Sequence, residues 1–211
     1  MEKIKSKKTL NLHKISVKLG VFMSNWKITL PSAIAVAGIF TGTIIAKGES
    51  SLYFSAVEYI LKLIIKPDNQ SNYAGLIMSL LIPTVFAVVI FFNGLSVYGN
   101  ITVNLIPFVY GMISGLVTYH LFNSYTLKGL GYIVIMFLPY AVLSLFALIL
   151  MTAESIDMSQ VLLKKLSRSK RISDYSFSNY YKNCLKNYIY IIIAALIKTV
   201  LDSLFADLFV F

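Results

Sequence analysis

Along this chain, apolar residues come in long blocks. They do not follow the alternation of a half-buried strand or the three-to-four spacing of a soluble amphipathic helix. Ile28 to Ala46 is bracketed by Lys27 and Lys47, while Ala74 to Phe92, Ile101 to Phe122 and Leu130 to Met151 carry no charged side chain. From Asp68 to Lys128 the chain runs 59 residues without Asp, Glu, Lys or Arg. About 20 mostly apolar residues cross the hydrocarbon core of a bilayer, where every backbone N–H and C=O must be bonded within the helix. Residues 28–46, 74–92, 101–122 and 130–151 are therefore predicted transmembrane helices. Pro31, Pro83, Pro107 and Pro139 fall one to each. Membrane helices tolerate interior proline, so these mark kinks rather than ends.

A fifth span is predicted over 185–205, on weaker grounds. Its charge-free centre, Tyr188 to Ile197, is only ten residues long. To cross, Lys186 must snorkel and Lys198 must pair with Asp202 one turn on. A surface helix is the alternative, because a central charge disfavours insertion. The fold class that follows is all-α: a polytopic membrane helical bundle of about five transmembrane helices, one domain over 28–211 behind a basic leader, 1–27. The first apolar block follows that leader with no small-residue cleavage site, so it is read as a retained helix rather than a signal peptide.

Residues 51–66 show a different pattern. At helical spacing Ser51, Ser55, Glu58, Lys62 and Lys66 share one face, and Tyr53, Val57, Ile60, Leu61 and Ile64 the other. That is an amphipathic helix lying on the outer membrane surface. Its role is anchoring, or docking an extracytoplasmic partner through Glu58, Lys62 and Lys66 with Asp202 beside them. Asp207, five residues beyond Asp202, points elsewhere.

Orientation follows from the positive charges. The leader carries seven lysines, and the stretch 154–187, read as a basic cytoplasmic loop, carries seven Lys or Arg, against five elsewhere. Five spans put both regions on one side. The positive-inside rule makes that side cytoplasmic, with the C-terminus outside the cell membrane.

Composition agrees: 57% of residues are hydrophobic, 13% are charged and mean hydropathy is +0.75, which excludes an ordinary water-soluble domain. The net charge of +10 does not point to nucleic acid, because no nucleic-acid fold signal accompanies it. Its cluster Lys164, Lys165, Arg168, Lys170 and Arg171 adjoins a span and suits anionic headgroups of the lipid bilayer. A single cysteine, Cys184, excludes an internal disulfide. The two histidines, His13 and His120, make no metal cluster, so no metal or cofactor is expected.

Gly38 with Gly42 and Gly111 with Gly115 are small-residue pairs four apart, which admit a second helix at close range. They serve packing inside the chain or between copies, so a homo-oligomer stays open. Asn93 and Asn100 favour a cytoplasmic hairpin, and Asn104 with them could line a polar pocket instead. Ser114 near His120 invites comparison with an intramembrane serine protease, but six residues at 3.6 per turn put the two on different faces. No catalytic set is expected, and the chain is read as non-enzymatic.

Three stretches resemble the stage II sporulation protein M family of integral membrane proteins: Asn93-Gly-Leu-Ser-Val-Tyr-Gly-Asn100, Leu105 to Phe122 with its two glycines, and Gly129 to Ala153 with Leu138-Pro139 and Thr152-Ala153. The plan of the whole chain is similar too, including Leu52-Tyr53-Phe54 in the outer amphipathic segment. Relatives outside sporulation carry His-Gly after the proline and a glutamate soon after. Here Tyr140, Ala141 and Ser144 stand at those positions, which speaks against a polar site in this span and for the sporulation branch. The resemblance implies a membrane scaffold of endospore formation that brings the peptidoglycan-degrading stage II sporulation proteins P and D to the septum for engulfment, acting from the mother-cell membrane. A small transporter or channel subunit is the alternative function.

Overall fold

The computed structural model describes residues 26–48, 72–167 and 176–205. Among the described residues every element is a helix. α1 is Trp26–Lys47, α2 is Asn72–Gly94 and α3 is the single turn Gly99–Thr102. α4, Leu105–Tyr132, runs into a π-helical segment, Ile133–Phe137, and then into α5, Leu138–Leu166. α6 is Phe177–Phe205. Four helices are long and apolar enough to cross a membrane: Trp26–Lys47, Gly75–Gly94, Gly99–Leu166 and Phe177–Phe205. Large side chains stand open on the outside, including Phe40 at 65%, Ile44 at 70% and Ile101 at 73%. Water would not tolerate so broad an apolar surface, and lipid does. The chain is a multi-pass membrane protein.

The 68-residue stretch Gly99–Leu166 does not run straight. Thr126 (φ 46°, ψ −116°) breaks the helical backbone. Beyond it the chain turns back, so that a Cβ on Gly129 would strike the Leu121 carbonyl. In an uninterrupted helix those residues would lie about 12 Å apart along the axis. Leu116, Val117 and Leu121 of the first arm pack instead on Tyr132, Ile133, Met136, Phe137 and Tyr140 of the second.

Proline accounts for two local departures. The π-helical segment lies just ahead of Pro139, whose ring would press on the carbonyl four residues back, Ile135; widening the helix there relieves the clash. Pro107 sits in the first turn of α4, where its missing N–H would have no helical partner anyway. α4 accordingly begins at Leu105, after the separate turn of α3.

The stretch 154–187 is not a loop throughout, which corrects the sequence reading. α5 continues to Leu166 and α6 starts at Phe177. Glu154, Asp157, Lys164 and Lys165 end the hydrophobic run but leave the backbone ladder intact, because a helix that leaves the hydrocarbon core can continue in water. The amphipathic segment 51–66 with Glu58, Lys62 and Lys66, the leader to residue 25, and Arg168, Lys170, Arg171 and Asp207 lie outside the described residues.

Two clusters make the core. One joins α2, α5 and the first half of α6 through Ala87, Ile90, Leu148, Met151, Tyr180 and Ile191. The other lies at the opposite end, around the turned-back arms of α4 and α5, and takes in Ala194 with Leu201 and Phe205 at its edge.

Candidate functional site

The glycine pairs meet each other. A Cβ on Gly38 would strike the Phe108 carbonyl, and one on Gly42 that of Met112. Reciprocally, Gly111 faces the Ala35 carbonyl and Gly115 that of Ile39. α1 and α4 thus cross backbone to backbone within one chain, a contact that only glycine permits on both sides. An ion pair between Lys27 and Asp157 ties the start of α1 to α5.

At the same end, side chains from α5 and α6 hold the hairpin between α2 and α4. The last four carbonyls of α2, from Phe91 on, have no helical donors. Tyr180 of α6 donates to the Phe91 carbonyl at 2.9 Å, and Ser155 of α5 donates to that of Ile90 at 3.1 Å. The Ser155 and Tyr180 hydroxyls lie 3.0 Å apart. One turn on, Ser159 donates to the Ser96 carbonyl at 2.9 Å and accepts from the Asn100 N–H at 2.9 Å. Thr102 donates to Asn93 Oδ1, and Asn104 to the Asn100 carbonyl, both at 2.9 Å. The asparagines therefore shape the hairpin, and only Asn104 Oδ1 is left buried without a partner. Gly94 and Gly99 keep the fit close: a Cβ on the first would crowd Tyr180 and Ser155, and on the second Asn93.

Mid-bundle, a second polar group appears where the sequence comparison argued against one. Pro83 has no N–H to give the carbonyl of Ser79 four residues back. Tyr140 of α5 supplies the donor, its hydroxyl 2.7 Å from that carbonyl. The Tyr110 hydroxyl adjoins Tyr140 and Ser144, although Ser144 Oγ and Thr152 Oγ1 make no hydrogen bond of their own. The readable signal was Pro83 itself, since a proline inside a span frees a carbonyl four residues back that a neighbouring helix can satisfy.

Towards the other end, Lys198 and Asp202 form their i,i+4 pair at 2.6 Å. They do so inside the bundle. Lys198 is 2% exposed and Asp202 7%, beside Tyr132, and Asp202 Oδ1 has no partner. The pairing is the one the sequence required, with the helix face of Lys198 packed on other helices, and one expectation is corrected. Asp202 is spent on that pair and is not on offer at a docking surface.

Ser114 and His120 are not brought together. Ser114 donates to the Tyr110 carbonyl of its own helix at 2.9 Å, and His120 Nε2 lies 3.4 Å from Ser124 Oγ. Lys164 and Lys165 stand exposed in the last turn of α5. Among the described residues no three His, Cys, Asp or Glu gather as a metal would need.

The class defined by this architecture is a multi-pass membrane protein, all-helical among the described residues, in which Tyr140, Ser155, Ser159 and Tyr180 bond to backbone carbonyls of α2 and its hairpin. In comparisons with known proteins the chain matches no family model, no curated protein and no solved structure.

Proposed function

We propose that this protein is a five-span membrane scaffold, N-terminus in the cytoplasm and C-terminus outside, that recruits cell-wall hydrolases during endospore formation. The 68-residue helical stretch then crosses twice, its two arms meeting near Thr126 on the outer side. Positive charge supports the orientation: Lys27, Lys164, Lys165 and Lys182 lie at the end of the bundle that holds the hairpin, away from Thr126.

The observation that carries the scaffold reading is how the buried hydroxyls are used. Tyr180, Ser155, Ser159 and Tyr140 bond to backbone carbonyls of α2 and its hairpin. Such bonds make a rigid frame, and the chemistry is left to partners. The resemblance to the stage II sporulation protein M family supplies the class of partner, the peptidoglycan-degrading stage II sporulation proteins P and D, and the septal mother-cell membrane as the place. Mild-detergent purification of the tagged chain from sporulating cells tests this. A wall hydrolase should co-elute, and its absence would overturn the reading.

A transporter or channel subunit is the second reading, favoured by the buried Lys198–Asp202 pair and the unpartnered hydroxyls of Ser144 and Thr152. Ion or solute flux through reconstituted protein would decide for it, because a scaffold gives none.

A further inference from the structure

Between α2 and α6, at the end of the bundle that carries the hairpin, a cleft of about 350 Å³ opens sideways into the bilayer. Its floor is made by small side chains, Ala87 and Cys184, with Met151 of α5 behind them. Each end is closed by a bridge between the two helices. At one end Thr84 and Tyr188 share a hydrogen bond of 2.9 Å, and at the other the rings of Phe91 and Tyr181 meet edge to face at 6.5 Å. The seven helical rises from Thr84 to Phe91 make the opening about 10 Å long.

We propose that this cleft seats the upper part of one acyl chain of an anionic glycerophospholipid, whose headgroup is held by Lys182 and Lys186. Within the bilayer the medium facing such a cleft is lipid chain, so an apolar occupant needs no further partner to reach it. The cleft is a broad, open recess bounded along the helices by the two bridges, and its volume lies in the range of small-molecule sites. Charge then selects the head. None of the residues lining the cleft is acidic. Lys182 and Lys186 are exposed and directly follow the lining residues Tyr181 and Leu185 in α6. Neighbouring Cα atoms are about 3.8 Å apart, so a flexible lysine stem carries its ammonium to the rim while its methylenes stay on apolar surface. The hydroxyl of Tyr181 adds a donor at the same edge. The site depends on the membrane setting and not on the scaffold reading.

The full-length protein in nanodiscs of equal phosphatidylglycerol and phosphatidylcholine, released and weighed by native mass spectrometry, tests the proposal. One phospholipid per chain is expected, with phosphatidylglycerol preferred. A basic side chain near a membrane surface commonly changes the preference for anionic lipid about fivefold. Each of Lys182→Gln and Lys186→Gln should therefore weaken the preference by about that factor while leaving a lipid bound. Ala87→Phe fills the floor and should abolish retention; Val88→Trp at the rim, with an unchanged melting temperature, serves if Ala87→Phe fails to fold. A wild type that retains no lipid, or retains both lipids equally, would overturn the site. So would a Val88→Trp variant that keeps its lipid, or a dimer in which a second copy seals the cleft.

Discussion

Replacing Tyr140 by Phe removes one oxygen from the middle of the bundle. Its cost depends on a proline 57 positions away in the chain. Tyr140 and Ser79 are each 3% exposed, and the 2.7 Å bond from the hydroxyl to the Ser79 carbonyl is the replacement for the N–H that Pro83 lacks. Without it the carbonyl is buried and unpaired. Such a group costs about 1–3 kcal/mol in a protein interior, while side-chain hydrogen bonds within membrane bundles average about 0.6 and reach about 1.7 kcal/mol. The expected loss is thus about 1–1.5 kcal/mol. In a Pro83→Ala background residue 83 regains its N–H and can bond Ser79 along the helix, so the same Tyr140→Phe change should cost about 0.5 kcal/mol or less. Any contact Tyr140 makes with Tyr110 is lost in both backgrounds and cancels. The assay is reversible unfolding in mixed micelles, followed by far-ultraviolet circular dichroism across the four chains of the cycle. Independent sites add to within about 0.3–0.5 kcal/mol. A cost of Tyr140→Phe equal in the two backgrounds within that margin would refute the link between proline and tyrosine.

Two further perturbations follow from the same packing. Lys198→Met leaves the Asp202 carboxylate buried without its cation and should destabilise by about 3–5 kcal/mol, whereas Lys198→Met with Asp202→Leu should recover most of that loss; equal melting temperatures for the single and double variants would show that the pair is not buried. Gly38→Leu and Gly111→Leu each drive a side chain into the backbone of the facing helix and should cost about 3 kcal/mol or more, at or beyond the upper end of ordinary overpacking. Gly48→Ala, whose nearest contact is an ordinary 3.4 Å from the Ile45 carbonyl, should leave thermal stability within about 1 kcal/mol of wild type and so controls for the loss of glycine itself.

What could be read from the sequence divides by how local its cause is. Span positions are legible because length and charge decide them residue by residue, and α1 and α2 extend the predicted 28–46 and 74–92 by at most two residues at either end. The glycine pairs could be marked as points of close approach because a missing Cβ acts where it stands, although their mutual contact could not be read. The ends of α5 and α6 were misplaced for the opposite reason, since charge says where the hydrocarbon ends and nothing about where the backbone ladder stops.

Least legible is which side of a span faces its neighbours. The apolar residues of a span give little directional signal; in α6 the signal is the Lys198–Asp202 pair, since charges within a span turn to the bundle interior, which leaves Leu196 and Val200 at the lipid. Pairs such as Tyr140 with Ser79 and Tyr180 with Phe91 lie 61 and 89 residues apart and share no pattern in the chain. Yet they obey one requirement that is written there. Each carbonyl freed by a proline or a helix end inside the bilayer needs a donor, and the tyrosines and serines of the other spans are the donors at hand. A membrane sequence can thus be read further by counting orphaned carbonyls in one span against hydroxyls in the others than by searching any single span for an amphipathic stripe. Applied to this chain, that count makes Pro83, Tyr140, Ser155 and Tyr180 parts of one frame, the frame on which the scaffold proposal rests.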